Sequence, residues 1–178
     1  GDAIANRSLP WECQMKRLSV AGMCTAAAIW AATFNVMADP ALSLEFDGNT
    51  LSFAPQIDGA RTGFTRFMSV DAVSMEGRDG VAALVVELSL PPGARTGDTP
   101  HDARISYRPD GWRNYWVSPL DFPQGSVIID HLDLSSQTPS ISGEFAVALC
   151  FAATVLHVPD ADNCLPASGQ FNTVLVRD

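Results

Sequence analysis

Beyond position 38 the chain contains no lysine. Its eight arginines there stand against eighteen acids, so positions 39–178 carry a net −10, while positions 1–38, with Arg7, Lys16 and Arg17 against Asp2 and Glu12, carry +1; together they give the chain's −9. A surface of that sign repels phosphate backbones and anionic lipid, which argues against nucleic acid and a membrane surface as partners. It is also the ordinary means of keeping an exported protein dispersed. Motifs that would announce an enzyme are missing too: there is no G-x-S-x-G, no H-E-x-x-H and no P-loop. No sequence feature implies a cofactor or a metal. The three histidines, His101, His131 and His157, leave few options for general-base chemistry. Helical periodicity of useful length is absent beyond position 38, and no linker or low-complexity stretch divides the rest.

The exception to that pattern is N-terminal. Met15-Lys16-Arg17 is followed by an uncharged apolar run from Leu18 to Phe34 and then by Asn35-Val36-Met37-Ala38. Cations, an apolar core and small residues at the −3 and −1 positions are the three regions of a secretory signal peptide, with cleavage expected after Ala38. Three other readings compete. Leu18 to Met37 is long enough for a retained anchor, although Ala, Thr, Ser and Asn weaken its hydrophobicity. Lipidation at Cys24 would want a small residue where Met23 stands. A buried helix of the domain fits poorly with the flanking charges. Positions 1–14 read as an upstream extension outside the fold, 15–38 as the signal, and 39–178 as a single secreted or periplasmic domain with no membrane attachment once the signal is cut.

The cysteines divide the same way. Cys13 and Cys24 fall outside the proposed domain, and Cys150 and Cys164 remain within it. An exported compartment is oxidising, so the pair is expected to form a disulfide.

From Ala41 onward the signal is of short β runs between turn residues. Leu42–Phe46 and Thr50–Phe53 flank Asp47-Gly48-Asn49. Arg66–Met75 is a third run, with a turn expected at Glu76-Gly77-Arg78-Asp79-Gly80. Val81–Leu90 is almost continuously apolar, as in a strand buried on both faces. Ala103–Tyr107 and Trp112–Val117 flank Pro109-Asp110-Gly111. Ser126–Leu134, Ile141–Cys150 and Gln170–Val176 complete the series, and Phe151–Val158 is either a strand extension or one helical turn. About eight to nine strands predict an all-β domain, an antiparallel sandwich by preference and a small barrel as the alternative. Two short echoes occur: Gly59-Ala60-Arg61-Thr62-Gly63 with Gly93-Ala94-Arg95-Thr96-Gly97, and Ser142-Gly143-Glu144-Phe145 with Ser168-Gly169-Gln170-Phe171. Both are read as repeated turn solutions rather than a duplication.

The most informative cluster is Tyr107 to Trp116, which holds both tyrosines of the chain and both tryptophans beyond position 38. On a regular strand Trp112, Asn114 and Trp116 share one face, and Arg113 and Tyr115 the other. Facing outward, the first set is a flat aromatic platform of the kind on which sugar rings stack. Facing inward, it is core. The candidate contact residues are therefore Tyr107, Trp112, Arg113, Asn114, Tyr115 and Trp116. His131 with Asp133 or Asp130 is a possible base and orienter, or simply a solvent face. Asp160, Asp162 and Asn163 resemble the start of a calcium loop but lack its glycine and distal glutamate, so turn formation is the plainer reading.

The closing pattern, Ser-Gly-Glu-Phe before one cysteine and Ser-Gly-Gln-Phe after the other, is similar to the end of small exported bacterial β proteins of unknown role, and it implies no functional residue. The leading expectation is a non-catalytic binding or accessory module that contacts a glycan, a small ligand or a protein through the aromatic hairpin. A structural envelope-associated protein without ligand comes second, and a hydrolase built on the His–Asp pair third.

Overall fold

The computed structural model describes residues 39, 41–58, 60–67, 69–119 and 126–177, all within the compact unit Val36–Asp178. The signal segment 15–38 and positions 1–14 lie outside the described residues.

Eleven strands follow in order: β1 (Ala41–Phe46), β2 (Asn49–Pro55), β3 (Gly63–Phe67), β4 (Val70–Asp79), β5 (Ala82–Leu90), β6 (Asp102–Arg108), β7 (Arg113–Val117), β8 (Ser126–Asp133), β9 (Ser140–Thr154), β10 (Cys164–Val174) and β11 (Val176–Arg177). Pairing runs β4-β2-β1-β10-β9-β7-β6-β5 and returns through β5 to β4, so eight strands close into a barrel. The all-β expectation holds, and of its two architectures the small barrel is the one formed. Closure pairs each of the eight ring strands on both sides and leaves the added strands as edges. β8 lies beside the first half of β9, with β7 beside the second half, and β3 with β11 extends the opposite edge along β4.

Two-residue periodicity explains which side chains fill the interior. Leu42, Leu44 and Phe46 of β1, Val73 and Met75 of β4, Leu84, Val86, Leu88 and Leu90 of β5, and Ile141, Phe145, Val147 and Leu149 of β9 are all buried in one cluster. Ser43, Glu45, Glu144 and Gln170 alternate with them on the outside and are partly or fully exposed. An apolar inside and a polar outside is the reverse of a membrane-spanning barrel.

Several boundaries differ from expectation. The third predicted run is two strands, because the chain reverses between Phe67 and Val70. Residues 76–79 stay in β4, and the reversal falls at Gly80 (φ 59°) and Val81. Gly77 is in the strand for a packing reason: a Cβ there would lie 2.7 Å from the Cβ of Phe53. The continuous apolar run does form a strand buried on both sides, with Ala83, Leu84, Val85 and Val86 all buried. Phe151–Thr154 extends β9, and β10 begins at Cys164, six residues before its predicted start. Between them Cys150 and Cys164, directly opposed in register, form the disulfide.

Candidate aromatic contact site

The β1–β2, β4–β5, β6–β7 and β9–β10 connections gather at the disulfide end of the barrel, as the registers Phe46↔Ala167, Asp79↔Ala82, Ala83↔Arg108 and Arg113↔Thr154 require. The aromatic hairpin β6–β7 is among them. Its turn contains Gly111 at φ 71° and a bridge between Asp110 and Arg113. Asn114 follows at φ 52°, a left-handed conformation that asparagine tolerates better than most residues. Its Nδ2 donates to Asp110 Oδ2 at 2.6 Å, which ties the two sides of the turn together.

The expected platform of two indoles is not formed: β7 starts at Arg113, so Trp112 belongs to the turn and faces solvent, while Trp116 packs inward. Trp116 enters the barrel mouth. Its ring meets Phe46 edge-on with centroids 5.0 Å apart and Phe151 at 5.3 Å. Tyr107 joins it there, edge-on to Phe46 at 5.7 Å and to Phe53 at 6.0 Å. These rings close the end of the core. Burial, and then the negative charges of Asp110 and Asp79, raise the Tyr107 phenol above its ordinary value.

Tyr115 faces the other way but is also buried, in a small second cluster with Val117 and Ala152. Its hydroxyl accepts from Arg104 Nη2 at 3.5 Å. Arg108 connects this buried ring to the exposed one. Its guanidinium carbon lies 5.4 Å from the Trp112 centroid and 5.5 Å from the Tyr115 centroid, a double cation–π contact. Arg108 Nε is buried and has no hydrogen-bond partner among the described residues. Trp112 itself is 69% exposed. Of the six predicted contact residues, then, Trp112, Arg113 and Asn114 reach solvent, Tyr107 and Trp116 line the mouth of the core, and Tyr115 supports from beneath.

Sequence reasoning did not single out Val81, Leu156 and Val158. They are 71%, 91% and 90% exposed, on the two connections that flank the hairpin. The available signal was an apolar Leu-x-Val inside the disulfide ring, where solvation would have favoured polar residues.

The histidine–aspartate pair sits elsewhere, on β8. An irregularity between Ile129 and His131 makes Asp130 an extra residue, and His131 and Asp133 then share the outer face. His131 Nε2 lies 3.2 Å from Ser140 Oγ. Asp133 does not orient the imidazole. Its Oδ1 accepts from Ser135 N, Ser135 Oγ and Ser136 N at 2.9, 3.0 and 3.1 Å, which holds its carboxyl below the ordinary value. Asp160 caps its own turn, accepting from Asp162 N at 3.1 Å. No group of three or more His, Cys, Asp or Glu able to hold a metal occurs among the described residues.

No family model, no curated protein and no solved structure matches this chain.

Proposed function

We propose that this chain is a non-catalytic binding module that is exported, cut after Ala38, and makes contact through the disulfide end of its barrel. The observation that carries the reading is Trp112: a large indole held 69% exposed while Arg108 is stacked on it. Exposing an apolar ring of that size forgoes about 2 kcal/mol or more of burial, a cost that a contact surface recovers on binding. An indole backed on one side and open on the other suits the apolar face of a sugar ring, and Arg113 and Asn114 stand beside it with polar groups for hydroxyls. One ring rather than two implies a short or terminal glycan unit. The oxidised Cys150–Cys164 pair is compatible with export.

A ligand-free envelope protein is the second reading, favoured by the filled barrel interior. A glycan array separates the two. The full chain is expected to bind at least one glycan class, and Trp112→Ala to lose that binding at least tenfold with an unchanged circular dichroism spectrum. Absence of any bound class supports the second reading.

A further inference from the structure

We infer that the other end of the barrel holds a second, independent site, an oxyanion-binding groove formed by Arg66, Arg95 and Arg177. Three of the eight arginines of positions 39–178 line one groove of about 710 Å³, in a domain whose net charge is −10. The two acids that line the groove, Asp71 and Asp133, already accept hydrogen bonds from within the protein. Asp71, 1% exposed, has both oxygens held by Arg66, Nε to Oδ1 at 2.7 Å and Nη2 to Oδ2 at 3.0 Å. Asp133 Oδ1 accepts three hydrogen bonds from Ser135 and Ser136.

The arginines, by contrast, keep donors to spare. A guanidinium has five N–H groups. Arg66 gives two of them to Asp71. Arg177 gives one to the Leu134 carbonyl at 2.8 Å and is fixed over the Phe64 ring at 5.3 Å. Among the described residues the Arg95 side chain has no hydrogen bond or ion pair, yet its loop is firmly placed: Arg95 N donates to Asp98 Oδ2 at 2.8 Å, Gly97 N to Ile129 O at 2.9 Å, and Thr96 Oγ1 accepts from Leu132 N at 3.0 Å. Two anchored guanidinium groups and a third on a fixed loop form a pre-organised set of donors for a ligand with two or three adjacent charged oxygens. Carboxylate and phosphate share that chemistry.

The test follows backbone amide resonances of the full chain while inorganic phosphate or acetate is added at constant ionic strength. Saturable shifts confined to Phe64, Ala94, Arg95 and Leu134 are expected, with the tighter of the two anions identifying the head group. Arg95→Gln and Arg177→Gln are each expected to weaken binding at least fivefold, and Arg78→Gln, which pairs with Glu76 at 2.6 Å outside the groove, to leave it unchanged. The Arg95 side chain has no partner among the described residues, so its variant keeps the test sound even where Arg177→Gln perturbs the fold. Shifts that do not saturate, spread evenly over the other arginines, or survive Arg95→Gln overturn the proposal. Trp112 is not involved, so this site stands or falls apart from the aromatic one.

Discussion

The ring of Phe171 occupies the space that a side chain on Gly143 would need: a Cβ built there lies 2.6 Å from the ring's Cζ. The two residues are direct cross-strand partners in β9 and β10, and the relation is reciprocal, because Phe145 faces Gly169 with a corresponding distance of 2.5 Å. The repeated Ser-Gly-x-Phe is therefore a packing device. Each glycine leaves room for a neighbouring backbone carbonyl, and the partner's phenylalanine ring covers the backbone it exposes.

Gly143→Ala is accordingly expected to destabilise by about 2 kcal/mol or more, through overpacking. Shortening the ring with Phe171→Leu should not restore the loss, because the Ile128 carbonyl also stands in the way. Urea unfolding of the single and double variants measures both; full rescue by the leucine would show that the ring alone makes glycine necessary.

Removing the disulfide is expected to cost roughly 3 kcal/mol, the chain-entropy value for a loop of about fifteen residues. Paired Cys150→Ala and Cys164→Ala, or reduction of the native chain, should lower the unfolding midpoint without changing the β spectrum. β9 and β10 are already joined over eleven register pairs, so the barrel is expected to survive.

The Tyr107 phenol is raised above its ordinary 10.0, first by burial and then by Asp110 and Asp79. A folded-state value above the unfolded one means that its contribution to stability is complete below pH 10 and is lost as pH rises through the folded value. Spectrophotometric titration should show the Tyr107 phenol ionising above 10.0, and Asp110→Asn should bring that midpoint down. A Tyr107 midpoint at or below 10.0 would contradict the placement of its ring.

Asp133 shows the opposite sign. The amide and hydroxyl of Ser135, then the amide of Ser136, hold its carboxyl below 3.8. The stability this supplies is present above the unfolded value and is lost as pH falls through the folded one. Carbon-detected titration of Asp133 should give a midpoint below 3.8, and Ser135→Ala should raise it.

Local features of this fold were legible in the sequence, and long-range ones were not. Alternation in Leu42–Phe46 and the turn residues Asp47-Gly48 and Pro109-Asp110-Gly111 mark hairpins that the structure contains. The cysteine pair was equally readable. Closure was not, since it rests on contacts such as Ala54↔Arg78 and Pro55↔Gly77, which no local pattern encodes. Gly77 looked like a turn residue because glycine usually is one, whereas here it makes room for Phe53. At the candidate site, composition pointed to the hairpin, but not to where its turn ends: Trp112 falls in the turn and stays exposed, while Trp116, within β7, packs on Phe46 and Phe151.

Glycan-array binding by the full chain beside its Trp112→Ala variant tests the aromatic contact most directly. At least one carbohydrate class is expected to bind the native chain and to bind the variant at least tenfold more weakly. Binding that is equally strong without the Trp112 indole, or no bound class at all, would contradict it.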